Sequence, residues 1–317
     1  MSISDFANPT EVRCTSLSGE RVVFDGYIQM YKFLTSIRRD GDYVRNSNGD
    51  VISHLIGLYN RIGSHLANGV QPIFVFDGPP PDMKQRTIDA RVERKNEAEK
   101  LMEQAKQNGN TDAAEKYAAR TTSVEPAFVE SACEMFDALG VPYMEAPSEA
   151  DPQCAHLVRS GEADYICTTD YDVFCYNDQN AAFIKQFSGD TCQIVSLQQM
   201  LNEMEINYDQ YRWTRIIAGT DYNDSPSRVA WKRALNMTQD AESFERAIDA
   251  AVEWDAGIDT DRYRAVYDWF QNPTVDDWSP THEPTDPEAV REVMIEKYHL
   301  QQSQVENKLD EIVEQQA

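Results

Sequence analysis

Four short apolar runs, each ending at an acid, limit most strongly how this chain can fold: RVVFD at 21–25, QPIFVFD at 71–77, VPYME at 141–145 and ADYICTTD at 163–170. Runs that are apolar at consecutive positions bury both faces, the pattern of parallel strands covered by helices on each side. The segments between and after them carry helical periodicity: Tyr27–Ile37, Val51–Leu66, a long stretch from about Asp82 to Gln107, Pro126–Leu139 and Glu149–Val158. Helices are also predicted over Asp209–Ala218, Arg262–Phe270, Pro287–Tyr298 and Gln302–Val313. The order predicts an α/β fold with a mostly parallel central sheet flanked by helices, followed by an all-helical C-terminal part. One stretch breaks the alternation: Ala182–Ser196 has two short runs meeting at a Ser-Gly-Asp turn and reads as a hairpin. The turn formers of NPTVDDWSPTHEPTDP, 272–287, read as a surface linker.

With 317 residues, 41% of them hydrophobic, the chain can bury a sizeable core. No run of eighteen apolar residues occurs, and MSISDFANPTEVRC lacks the basic-then-apolar pattern of a signal peptide. A soluble cytoplasmic protein is expected. The six cysteines (Cys14, Cys133, Cys154, Cys167, Cys175, Cys192) lie in apolar surroundings without a CxxC pair, so free buried thiols are expected rather than disulfides or a zinc site. The charge is unusual, because 29 basic against 54 acidic residues gives a net −25. Such a surface repels polyanions at low salt. Either the protein does not bind nucleic acid, or it works in concentrated salt, where repulsion is screened to about 3 Å near 1 M. A halophilic source fits the spread of acids along the chain.

In an open parallel sheet, ligands bind beyond the carboxyl ends of the strands, so Asp25, Asp77 and Asp170 each stand where a site forms. Asp172, two residues on, returns to the same side if the chain is extended. Glu149 and Asp151 open the helix after VPYMEA, where Ser148 with Asp151 matches a capping box. Capping explains either acid of this pair by itself, and an Asp-Gly turn explains Asp25 or Asp77 by itself. Together they repel unless protons or cations neutralise them. Oxygen ligands alone suit Mg²⁺ or Mn²⁺ rather than zinc. Two such ions about 4 Å apart would activate a water and stabilise the leaving oxygen in phosphodiester hydrolysis.

VVFDGYIQMYKFL (22–34), PIFVFDGPPPDMK (72–84), VPYMEAPSEADPQCAHLV (141–158), YICTTDYDVFCY (165–176) and IIAGTDYND (216–224) together resemble the flap endonuclease family of structure-specific 5′ nucleases, with its 5′ nuclease or PIN-like fold. The resemblance implies that Asp25, Asp77, Glu149, Asp151, Asp170, Asp172 and Asp221 hold two Mg²⁺, for which Mn²⁺ can substitute. Asp151 stands where the family usually has Glu. It implies that Lys84 and Arg91, at the base of a helical arch over about 82–121, contact the scissile phosphate. The arch cations Arg94 and Lys95 would contact DNA, Tyr31 would stack on a base, and Arg38 would line the junction-binding region. In this reading 1–237 is the nuclease core and 238–317 a helical region packed on it. The partner implied is DNA with a 5′ flap or junction, with RNA–DNA primers as an alternative substrate, bound by a monomer that needs no membrane.

Three features depart from the family. Its Gly-Ile-Gly-Pro-Lys-like hairpin, which binds duplex phosphates and a monovalent cation, corresponds here to SPSRVAWKRALNM, within a degenerate helix-hairpin-helix element over about 219–237. Arg228, Lys232 and Arg233 offer side-chain cations in place of close backbone approach. The Gly-Ile-x-Gly-Leu start is missing, and QQSQVENKLDEIVEQQA lacks the sliding-clamp docking pattern, so clamp binding through the C-terminus is not expected. Two other classes compete. An aspartate-nucleophile phosphatase also uses D-x-D after a strand, but needs it early in the fold. A junction-binding scaffold without catalysis gains nothing from so many carboxylates.

Overall fold

The computed structural model describes residues 2–39, 41–176 and 180–317. Its strands, in chain order, are β1 (Thr10–Arg13), β2 (Arg21–Asp25), β3 (Arg38–Arg39), β4 (Asp42–Tyr43), β5 (Gln71–Phe76), β6 (Tyr143–Glu145), β7 (Tyr165–Cys167), β8 (Ala182–Ser188) and β9 (Thr191–Ser196). The chain divides into two compact units, neither continuous in sequence: one of Met1–Arg13, Gly78–Thr87 and Ala146–Trp278, the other of Cys14–Asp77, Ile88–Glu145 and Ser279–Ala317. Residues 238–278 belong to the first of these units and 279–317 to the second.

The unit containing Cys14–Asp77 carries the parallel strands in the order β2-β5-β6, with Phe24 opposite Phe74 and Phe74 opposite Tyr143. The unbroken apolar runs of β2 and β5 are buried after their first residue, as two-sided coverage requires. Phe24, Phe74 and Phe136 form a continuous stack with centroid spacings of 5.3 and 4.5 Å. Truncating a ring so enclosed costs about 3–5 kcal/mol. Helix Ser53–Ala67 is covered by Gly26–Ser36 and Gln302–Gln316. Gly57 permits this, because a Cβ there would meet the Phe33 ring.

In the other unit the order is β1-β9-β8-β7: β7 and β8 run parallel, while the β8–β9 hairpin and β1 are antiparallel. The hairpin turns at Gly189, whose φ of 57° suits glycine. The expected strand 163–170 shortens to Tyr165–Cys167, and the chain then enters a 3₁₀ turn, Tyr171–Tyr176.

Helices over Leu197–Met204 and Phe244–Trp254 were not read from the sequence, and those over Thr111–Arg120 and Trp231–Thr238 were expected only within the arch and the helix-hairpin-helix element that the resemblance implied. Three of them are short, eight to ten residues, and take their stability from packing rather than repeat length. The expected helix Pro287–Tyr298 is α-helical only over Pro287–Val290 and widens to π geometry over Arg291–Lys297. The linker 272–287 has no regular structure but is pinned. Asp276 exchanges hydrogen bonds with the Gln153 side chain at 2.8 and 2.9 Å, and Thr285 donates to the Leu139 carbonyl at 3.0 Å. Among the described residues no disulfide joins any of the six cysteines.

Candidate active site

Glu149 opens helix Ala150–Arg159 and is buried, yet its carboxylate makes no capping hydrogen bond. The capping box expected of Ser148 and Asp151 does not form, since Glu149 takes the N-cap position and Ser148 donates to the Pro79 carbonyl at 3.3 Å. Instead the Lys84 ammonium pairs with Glu149 Oε1, and the Tyr222 hydroxyl donates to Oε2. Lys84 is brought there by a tight turn. The Gly78 N–H donates to the Ser148 carbonyl at 2.5 Å, and a Cβ at Gly78 would strike the Ala146 carbonyl.

The Lys84 ammonium also lies 3.6 Å from Asp221 Oδ2. Thr87 Oγ1 donates to the Asp221 carbonyl at 2.5 Å, and exposed Arg86 pairs with Asp224 at 2.6 Å. Asp170 is exposed at the bend after β7, and its Oδ1 accepts the backbone N–H of Asp172 at 2.8 Å. That bond, within a turn rather than an extended chain, is what joins the pair. The Arg215 guanidinium grips Asp172 Oδ1. Burial pushes the Asp172 carboxyl up to about 6, against the opposing pull of Arg215. Asp151 is half-buried in the first turn of its helix.

The unit containing Cys14–Asp77 holds the other two expected ligands. Asp25 is buried at the end of β2 and caps helix Gly26–Ser36, its Oδ1 accepting from the Ile28 N–H at 2.8 Å. The Tyr27 hydroxyl is pushed up by burial first, then by the carboxylates of Asp77, Glu145 and Asp25. These three acids therefore share one neighbourhood. Glu145 ends one of the four apolar runs but was not singled out as a site residue.

The donors fit a hard cation in kind: they are carboxylate oxygens, and the Lys84 ammonium already bridges two of them. Among the described residues, no three His, Cys, Asp or Glu side chains are gathered at metal-ligand spacing.

The predicted DNA-contacting residues divide. A cavity of about 930 Å³ is lined by Tyr31, Arg91, Arg94, Lys95, Arg120 and Thr122, among others, with Tyr31 44% exposed rather than in the core. Arg38 is committed elsewhere. Its guanidinium donates to Leu34, Gly41 and Thr122 at 2.7 to 3.1 Å and lies 4.5 Å from the Tyr43 ring centroid. In the altered hairpin, Arg228 adopts a φ of 61°. Side chains organise this loop where glycines would otherwise serve. The Trp254 indole donates to the Ser227 carbonyl at 2.9 Å, Asp255 accepts the Ser227 N–H at 2.9 Å, and Arg233 donates to the Arg228 carbonyl at 2.7 Å. Arg233 also stacks on Trp254, 4.1 Å from the ring centroid, and Arg228 and Lys232 are exposed beside it.

Two family models match, the XPG N-terminal domain over residues 2–98 and the XPG I-region over 140–221. Flap endonuclease 1 of Aeropyrum pernix is 32% identical over 317 residues, covering 95% of this chain and 90% of that protein. The chain belongs to the flap endonuclease family of structure-specific 5′ nucleases. Flap endonuclease 1 of Methanococcoides burtonii is 31% identical, covering 98% of this chain and 94% of that protein. Among solved structures, flap endonuclease-1 from Methanococcus jannaschii superposes with a TM-score of 0.74 at 27% identity, covering 99% and 98% of the two chains. The catalytic core of Rad2 in complex with DNA substrate shares the fold, with a TM-score of 0.72 at 22% identity and coverage of 97% and 98%. No helix among the described residues is long and apolar enough to cross a membrane.

Proposed function

We propose that this nuclease hydrolyses one phosphodiester at the junction of a 5′ single strand with duplex DNA, acting as a monomer and leaving a 5′-phosphate and a 3′-hydroxyl. The observation that carries the reading is the Lys84 ammonium bridging Glu149 and Asp221, which puts a phosphate-seeking cation between one buried and one part-exposed carboxylate. Asp25, Asp77, Glu149, Asp151, Asp170, Asp172 and Asp221 would hold Mg²⁺, which supplies an activated water and neutralises charge on the phosphate.

This chain's own residues do the rest. Asp25 and Glu149 are fixed by their hydrogen bonds, so their oxygens are positioned before any ligand arrives. Lys84 exchanges its carboxylate partners for the scissile phosphate, and Arg91 supplies a second cation to the charge that develops there. Tyr31, Arg94 and Lys95 line the cavity that receives the unpaired strand. Arg228, Lys232 and Arg233 contact duplex phosphates through side chains. In functional terms, 1–237 carries the nuclease machinery and 238–317 supports it.

The test is cleavage of a 5′-labelled double-flap DNA, beside blunt duplex and single strand, with Mg²⁺. Junction-specific cutting that disappears in Asp172→Ala is expected. Tight binding with no cleavage in Mg²⁺ or Mn²⁺ would instead make the chain a junction-binding scaffold.

A further inference from the structure

We infer that Tyr222 is a positioning residue for Glu149, and that Tyr176 and Trp269 form with it a one-way chain of hydrogen-bond donors ending on that carboxylate. The inference rests on the reading of Glu149 as a metal ligand. It adds three residues to which no role in the reaction was assigned.

The direction of the chain follows from elementary donor counting. An indole N–H can only donate. Trp269 Nε1, on helix Thr260–Gln271, donates to the Tyr176 hydroxyl oxygen at 3.0 Å. The Tyr222 proton is used on Glu149 Oε2, so at the 2.7 Å contact between the two hydroxyls Tyr176 must be the donor. Every proton in the chain points towards the carboxylate. Both tyrosines are buried, and the Phe270 ring packs edge-on against each, with centroids 4.9 and 5.9 Å away.

Fully satisfied buried networks hold one geometry firmly, because each alternative leaves a polar group unpaired. Here the geometry held is that of Glu149. Its Oε2 is tied to Tyr222, leaving Oε1, the atom Lys84 occupies, to face a cation. The carboxylate is thereby prevented from turning both oxygens to one ion. Outer partners that orient a ligand in this way typically contribute 10- to 100-fold to metal affinity.

The test is a titration of Mn²⁺ alone into the full-length chain without DNA, read by the electron paramagnetic resonance signal of free Mn²⁺, on wild type, Glu149→Gln, Tyr222→Phe, Trp269→Phe and the Tyr222→Phe/Glu149→Gln double variant. Tyr222→Phe is expected to weaken binding about tenfold and Trp269→Phe by less in the same direction. The double variant should bind no more weakly than Glu149→Gln, since Tyr222 acts through that carboxylate. Unchanged binding in Tyr222→Phe while Glu149→Gln weakens it would overturn the inference and leave the proposed function standing, as would additive losses in the double variant. Unchanged binding in Glu149→Gln would overturn the reading of Glu149 as a ligand, and this inference with it. If Tyr222→Phe does not fold, Trp269→Phe decides: weaker Mn²⁺ binding supports the chain of donors, and wild-type binding rejects it.

Discussion

At the scale of single residues, buried charge is placed where another group answers it, and two sites let that be measured. Arg215 holds Asp172, and both side chains are about 15% exposed. Removing one partner of such a pair leaves an uncompensated buried charge. Arg215→Ala should therefore lose about 3–5 kcal/mol in urea unfolding, and a loss under about 1 kcal/mol would show that water reaches Asp172 freely. His54 behaves differently. Ser131 spends its hydroxyl proton on the Phe128 carbonyl at 3.0 Å, so His54 Nε2–H donates to Ser131 at 2.8 Å, and Nδ1 has no partner among the described residues. Burial holds the ring down to about 4, and His65 is likewise held down to about 3. A histidine whose folded value lies below its unfolded value contributes stability above pH 6.5 that is lost as pH falls towards the folded value. Unfolding free energy should fall between pH 6.5 and 4, with His54 accounting for about 3 kcal/mol. His54→Gln should make that part of the profile shallower, with the His65 contribution remaining.

At the scale of elements, what the sequence made legible follows from how local the signals are. The runs at 21–25 and 71–77 are buried on both faces, so composition alone marks them as strands. Asp25 and Asp77 became candidates through the rule that sites form at strand ends. The arch helix was legible by its length, as was the hairpin by its turn. Tyr222, Tyr176 and Trp269 were not legible as a network, since nothing in a linear chain shows that residues 46 and 93 positions apart share a chain of hydrogen bonds. Helix Phe244–Trp254 was missed as well, and with it the indole that closes the 225–231 loop. That loop yields a prediction. Trp254→Ala removes both the Arg233 stack and the Ser227 hydrogen bond, and should weaken duplex DNA binding about tenfold by fluorescence anisotropy. Trp254→Phe retains the stack and should lose less. Equal losses in the two variants would mean that the indole N–H, rather than the ring, orders the loop.

At the scale of the whole molecule, a net charge of −25 on a nuclease is a contradiction at low salt and none at high salt. Charge repulsion destabilises the compact state and opposes a polyanionic substrate. The melting temperature should accordingly rise between about 0.1 M and about 2 M KCl, and double-flap cleavage should be retained at the higher concentration. A melting temperature that falls over that range would show that the acidic surface is no adaptation to salt. If counterion release contributes little there, carboxylate-held cations and the few placed basic side chains must carry phosphate binding.

The central proposal is that Asp25, Asp77, Glu149, Asp151, Asp170, Asp172 and Asp221 hold divalent metal. The most direct test counts Mn²⁺ bound per chain in complex with nicked product DNA, by the same resonance titration. The account predicts two ions in the wild type and fewer in both Asp77→Asn and Glu149→Gln. One ion or none in the wild type, or two retained in both variants, would contradict it.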